Sequence, residues 1–87
     1  KVLHYYKKIK VVELIILGNV KVGIGDTVIF QGPTTGSVEE KITSIEKDHQ
    51  SIKKIQTGEK VAIKVKALIR ENDQVYLIIN HFQNRIN

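Results

Sequence analysis

A short phrase comes round three times in this chain: Gly25-Asp26-Thr27-Val28, Gly58-Glu59-Lys60-Val61 and Asn72-Asp73-Gln74-Val75. Each copy sets a turn former and an acid just ahead of a Val that opens an alternating apolar run. Gly and Asn tolerate positive φ, and an acidic side chain in a tight turn can accept nearby backbone N–H groups. Three such strand starts in 87 residues predict a compact antiparallel β barrel with few helices.

The length suits one domain and not two. A chain this short buries only about 60–65% of its unfolded surface, so its core is modest. With no Cys, neither a disulfide nor a Cys-based zinc site can staple the fold. Closing the sheet on itself is the remaining remedy. The absence of Cys also fits the cytoplasm, the expected location. No apolar stretch approaches the roughly 18–20 residues that span a membrane, and the longest, Val11 to Leu17, is interrupted by Glu13. Residues 1–10 are basic but lack the apolar middle of a signal peptide. The first residue is Lys rather than Met, which fits a piece of a longer protein or a processed chain.

The formal net charge is +5, and it is unevenly spread. Lys1, Lys7, Lys8 and Lys10 share the first ten residues with no acid, and Lys53, Lys54, Lys60, Lys64, Lys66 and Arg70 stand against Glu59 alone. Glu39, Glu40, Glu46 and Asp48 outnumber Lys41 and Lys47 between these blocks. Clustered cations reward a polyanion such as RNA through counterion release. A domain that is merely soluble through a Lys-rich surface has the same composition.

Six strands follow from the apolar alternation. Residues 2–6 form the first, with Leu3 and Tyr5 on one face and His4 and Tyr6 on the other, and Lys7-Lys8 turns the chain. Residues 9–17 form the second. It is apolar on both faces apart from Lys10 and Glu13, as in a strand buried on both sides or an edge covered by a partner. Its inward parity stays open. The third is 27–31, with Val28 and Phe30 on one face, and Gly32-Pro33-Thr34-Thr35-Gly36 is the turn that follows. The fourth, 37–47, has Val38 and Ile42 in phase and Ile45 out of phase, which predicts a β-bulge near Thr43-Ser44. Ser51 to Gln56 reads as one helical turn, capped by Ser51 and stopped by Gly58. The fifth strand, 60–66, points Val61, Ile63 and Val65 inward and Lys60, Lys64 and Lys66 outward. The last, 74–79, puts Val75, Leu77 and Ile79 in phase. The barrel therefore occupies 1–79, and 80–87 is an irregular polar tail.

These residues carry a family resemblance. The order and spacing of Lys21-Val22-Gly23, Gly25-Asp26, Gly58-Glu59 and Asn72-Asp73 resemble the barrel that follows the GTPase domain in translation factors, the second domain of elongation factor Tu and its relatives. His4-Tyr5-Tyr6-Lys7-Lys8-Ile9, Ile63-Lys64-Val65-Lys66 and Arg70 to Tyr76 are similar to small translation elongation factor-like proteins. Gly32-Pro33-Thr34-Thr35-Gly36 resembles the hairpin phrase of a similar barrel, the C-terminal module of collagenase-like peptidase-family proteins. Two departures stand out. Ile24-Gly25 looks like an insertion within the usual Lys-Val-Gly-Asp turn, and residues 13–17 are more apolar than the family's second strand. The resemblance implies an all-β fold: a six-stranded closed antiparallel barrel of the translation-factor second-domain type with one short helical turn.

No chemistry of an enzyme is legible. There is no Gly-x-x-x-x-Gly-Lys-Ser/Thr loop to cradle nucleotide phosphates. His4, His49 and His81 are far apart, with no carboxylate at a recognised metal spacing. Ser37, Ser44 and Ser51 lie in no nucleophile motif. Glu39 and Glu40, as strand neighbours, diverge and read as a solvated face. No catalysis, cofactor, nucleotide or metal is expected.

The basic and aromatic groups remain. Tyr5, Tyr6, Lys7, Lys8 and Lys10 sit on or beside one hairpin, where Tyr can stack on unpaired bases and Lys can neutralise phosphates. Lys64, Lys66 and Arg70 form a second outward stripe. These eight residues are the candidate RNA-binding set. With the resemblance, they predict a non-enzymatic translation-factor-like module that binds RNA or the ribosome in protein biosynthesis. The alternatives are an accessory C-terminal barrel of a collagenase-like peptidase-family protein, and a protein-interaction barrel whose second strand pairs with a partner.

Overall fold

The three repeated phrases build three copies of one turn, and the rest of the fold hangs from them. A computed structural model describes residues 1–78. The turns run from Gly23 to Asp26, from Gln56 to Glu59 and from Arg70 to Asp73. In each, the N–H of the acid donates to the carbonyl of the first residue, at 3.1, 3.1 and 3.2 Å. The acid's carboxylate in return accepts the N–H of that first residue, at 2.8, 2.9 and 2.9 Å. The third residue has φ of +94° (Gly25), +85° (Gly58) and +70° (Asn72), the geometry of a type II turn. Its N–H reaches out of the turn to Ile42, Ile16 and Val2 carbonyls respectively, so each turn is also tied to a distant segment.

Ten strands follow one another: β1 (Val2–Tyr6), β2 (Val11–Ile15), β3 (Val22–Gly23), β4 (Thr27–Gly32), β5 (Gly36–Lys41), β6 (Ile45–Lys47), β7 (Gln50–Ser51), β8 (Lys54–Ile55), β9 (Lys60–Lys64) and β10 (Gln74–Ile78). All ladders are antiparallel. They form sheets of order β1-β2-β9-β6-β7, β10-β4-β5 and β3-β8. The described residues are thus all-β, as expected, without a helix.

The closed six-stranded barrel is not what forms. The ladders are interrupted at two seams. After Lys41 the fourth predicted strand breaks outright at residues 42–44, a larger interruption than the single bulge predicted there. It resumes as β6 in a different sheet: β5 pairs with β4, and β6 with β9 and β7. The corner buries both Ile42 and Ile45, which a continuous strand would have pointed to opposite faces. At the other seam, the β10 sheet meets β1 through two bonds, Val2 N–H to Asp73 and Asn72 N–H to Val2.

The expected helical turn at Ser51–Gln56 is also absent. Ser51 closes β7, the Ile52 N–H donates to Ile45, and Lys54–Ile55 pairs with Val22–Gly23 as β8. One isolated turn of helix cannot offset its nucleation cost, and these long-range bonds satisfy the same backbone. Ile52 and Ile55 still face inward, through a bend instead of a helix.

The core converges from both larger sheets. Val28, Phe30, Val61 and Ile63 are fully buried as predicted, while Val75 and Leu77 pack against the core half-buried. The second strand's parity is now set: Val12, Leu14 and Ile16 face in, and Val11, Glu13 and Ile15 lie on the outer face. β2 sits between β1 and β9, so the edge expected to pair with a partner is taken within the chain. A bulge between Val2 and His4 turns Val2 and Tyr5 inward and leaves Leu3 outside, against the predicted pairing of Leu3 with Tyr5. Ile79 and the predicted tail 80–87 lie outside the described residues.

Candidate functional site

Two basic blocks that are far apart in sequence meet at one end of the five-stranded sheet. Tyr6 stands opposite Val11, and Val11 opposite Lys64, in one cross-strand row. The β1–β2 turn, which carries Lys7, Lys8 and Lys10, is joined to the end of β9 by the Val65 N–H donating to the Lys10 carbonyl at 3.0 Å. Lys7, Lys8, Lys10, Lys64 and Lys66 are all exposed. Among the described residues the ion pairs are His4–Glu71 and Lys47–Glu59, so these five ammonium groups have no acidic partner there.

The remaining candidates are split off. Tyr5 is turned inward and packs, partly buried, against the core. Tyr6 is 43% exposed, with its ring against His4 in a T-shaped arrangement at 4.4 Å between centroids. His4 Nδ1 in turn lies 2.9 Å from Glu71 Oε2. Arg70 opens the 70–73 turn, which is bonded to Val2, at the far end of β1 from Tyr6. The structure therefore brings together Tyr6, Lys7, Lys8, Lys10, Lys64 and Lys66, and sets Tyr5 and Arg70 apart.

Beside this basic end lies a cleft of about 410 Å³ at the seam between β5 and the chain leaving β9. Its walls include Glu39, Lys41, Lys64, Val65 and Lys66. Glu40 reaches across the seam. Its carboxylate accepts the N–H groups of Lys66 at 3.0 Å and Ala67 at 2.9 Å, and the residue is only 7% exposed. Glu39 and Glu40 do diverge, but only Glu39 is solvated; Glu40 is a structural clasp. Its phase with Val38 and Ile42 was the sequence signal that it faces inward.

A second buried carboxylate lies in the third repeated turn, whose backbone bonds to Val2 span the opposite seam. Asp73 is 3% exposed and accepts bonds from the Arg70 N–H and the Thr35 hydroxyl, pinning the Gly32–Gly36 hairpin to the third repeated turn. Gly32 permits the approach, since a Cβ there would overlap the carboxylate. In the second repeated turn, Glu59 forms an ion pair with Lys47 and also accepts the Gln56 N–H. These bonds hold its carboxyl below the usual carboxylate range, the Lys47 hydrogen bond contributing most, and raise the Lys47 ammonium correspondingly. Among the described residues no three His, Asp or Glu side chains could share a metal ion.

Comparison with known proteins points away from translation. No family model matches the chain, and no solved structure matches it. A protein of Methanocaldococcus jannaschii named an uncharacterized protease is 40% identical over 78 residues, which is 90% of this chain and 19% of that protein. A collagenase of Porphyromonas gingivalis is 32% identical over 76 residues, 87% of this chain and 21% of its own length. These relatives are named as protease and collagenase, so the translation and RNA-binding assignment is overturned. The Gly-acid phrases that suggested it are a device for starting strands, and a device of that kind follows the fold whatever the function. The similarity to the collagenase-like group is the part of the resemblance that holds, and the chain spans about a fifth of the length of the curated relatives it matches.

Proposed function

We propose that this chain is a non-catalytic accessory domain of a collagenase-like peptidase-family protein, with the chemistry carried elsewhere on the polypeptide. The observation that carries the reading is the asymmetry of the similarity: it covers 87–90% of this chain but 18–21% of proteins named protease or collagenase. The side chains agree with a supporting role. Its two buried carboxylates, Glu40 and Asp73, are occupied with hydrogen bonds inside the fold: Glu40 ties β5 to the chain leaving β9, and Asp73 pins the 32–36 hairpin to the 70–73 turn.

The test compares the full-length protein, the protein lacking this segment, and the chain alone. Turnover of a short fluorogenic peptide and of gelatin is measured for each. The chain alone should cleave neither, and the protein lacking it should keep its turnover of the short peptide. Cleavage by the purified chain, or loss of short-peptide turnover in a deletion variant that remains folded, would overturn the reading.

A further inference from the structure

The seam cleft joins two features that together define a partner. The first is a strand edge that no ladder uses among the described residues. β5 forms a ladder with β4 on one side only. Ile42, just past β5, turns both backbone groups toward the β4 side: its N–H donates to Asp26 and its carbonyl accepts from Gly25, both at 2.8 Å. Backbone direction alternates along an antiparallel strand, so Lys41 and Glu39 turn their N–H and C=O groups the other way, into the cleft. Across it runs the segment 64–67, tied to β5 through the Glu40 side chain and not through a ladder. The second feature is charge. Lys41, Lys64 and Lys66 are exposed around the cleft with no ion pair among the described residues, and Lys7, Lys8 and Lys10 lie just beyond. Against them stands Glu39 on the rim, while the Glu40 charge is taken up by two backbone donors.

We infer that this cleft is a docking site for an extended acidic polypeptide segment, which adds as a strand along the free edge of β5. Main-chain bonds to Glu39 and Lys41 supply the register, and the lysines select the sequence. In a strand laid there, side chains on the outer face fall between Lys41 and the Lys64–Lys66 pair and are best acidic. Those on the inner face meet Val65 and are best apolar. The preferred segment alternates the two. Such docking needs only the strand edge and the charges, and so stands apart from the peptidase assignment.

The probe is a fluorescein-labelled Glu-Val repeat of eight residues, titrated with the 87-residue chain and read by anisotropy. Binding should weaken with added salt, since the lysines are exposed. Lys41→Gln, Lys64→Gln and Lys66→Gln combined should weaken it by about tenfold or more, the scale on which charge-assisted hydrogen bonds act. N-methylation of alternate peptide residues, which removes main-chain donors and changes nothing in the protein, should weaken it by a similar factor. On binding, the amides of Glu39 and Lys41 should become protected from hydrogen exchange. Failure to bind, indifference to N-methylation, or unchanged exchange at both amides overturns the inference. So does a single-stranded RNA of equal charge that displaces the peptide at equal or lower concentration, because the surface would then read charge and not a strand.

Discussion

Removing the Asp73 carboxylate should cost far more than removing the same group from the equivalent position of another repeated turn. Asp26 and Asp73 make the same two bonds within their turns. They differ in burial, and Asp73 alone also accepts the Thr35 hydroxyl. Bonds to a charged acceptor contribute about 1.5–3 kcal/mol each, and a buried donor left unpaired costs about 1–3 kcal/mol. Relief of the buried charge offsets part of this, so Asp73→Ala should destabilise by about 2–4 kcal/mol. Asp26→Ala, where water can replace the carboxylate, should cost about 0.5–1.5 kcal/mol. The first loss is a large share of the roughly 5–15 kcal/mol that holds a small domain together. The assay is urea unfolding followed by circular dichroism, with unchanged slope as the condition for comparing midpoints. Gly32 gives an internal check. It has no positive φ, and a Cβ there would lie 2.9 Å from Asp73 Cγ and overlap its Oδ1. Gly32→Ala should therefore cost about 1–3 kcal/mol in the parent and less than about 0.5 kcal/mol beside Asp73→Ala. Equal losses for Asp26→Ala and Asp73→Ala, or a Gly32→Ala penalty that persists without Asp73, would refute this account of the Asp73 contacts.

Phe30 is the largest fully buried side chain among the described residues, and Phe30→Ala should cost about 3–5 kcal/mol in the same assay; a loss under about 1.5 kcal/mol would show that the site collapses to refill itself. Glu59 has a folded pKa below its unfolded value, so its contribution is present above the ordinary carboxylate range and is lost as pH falls through the lowered folded value. Lys47→Gln should raise the Glu59 pKa toward the ordinary range in an NMR titration, because the Lys47 hydrogen bond is its main cause; an unmoved titration would assign the shift to the Gln56 N–H instead.

The resemblance to translation factors and the structure diverge for a physical reason. The Gly-acid turns are local: residue three supplies positive φ, and residue four returns a carboxylate to residue one. Any sheet protein that needs a sharp strand start can use them. They report how strands begin and carry no information on what the finished surface binds. The basic residues were equally visible, yet their grouping was not. A bulge at Leu3 that turns Tyr5 inward, and a hydrogen bond between Lys10 and Val65, decided which of the eight candidates share a surface.

By itself the sequence determined the all-β class, the strand starts at Thr27, Lys60 and Gln74, and most of the buried face, because period-two alternation and turn chemistry act over a few residues. Tertiary structure decided what joins what. The split of the fourth strand, the conversion of Ser51–Gln56 into strand and bend, and the two seams depend on bonds between residues tens of positions apart. Glu40 shows the division plainly. Its inward phase could be read beside Val38 and Ile42, but the backbone donors of Lys66 and Ala67 that make a buried carboxylate tolerable come from the far side of a cleft. No local pattern encodes that cleft, since it exists only where two sheets meet without a common ladder.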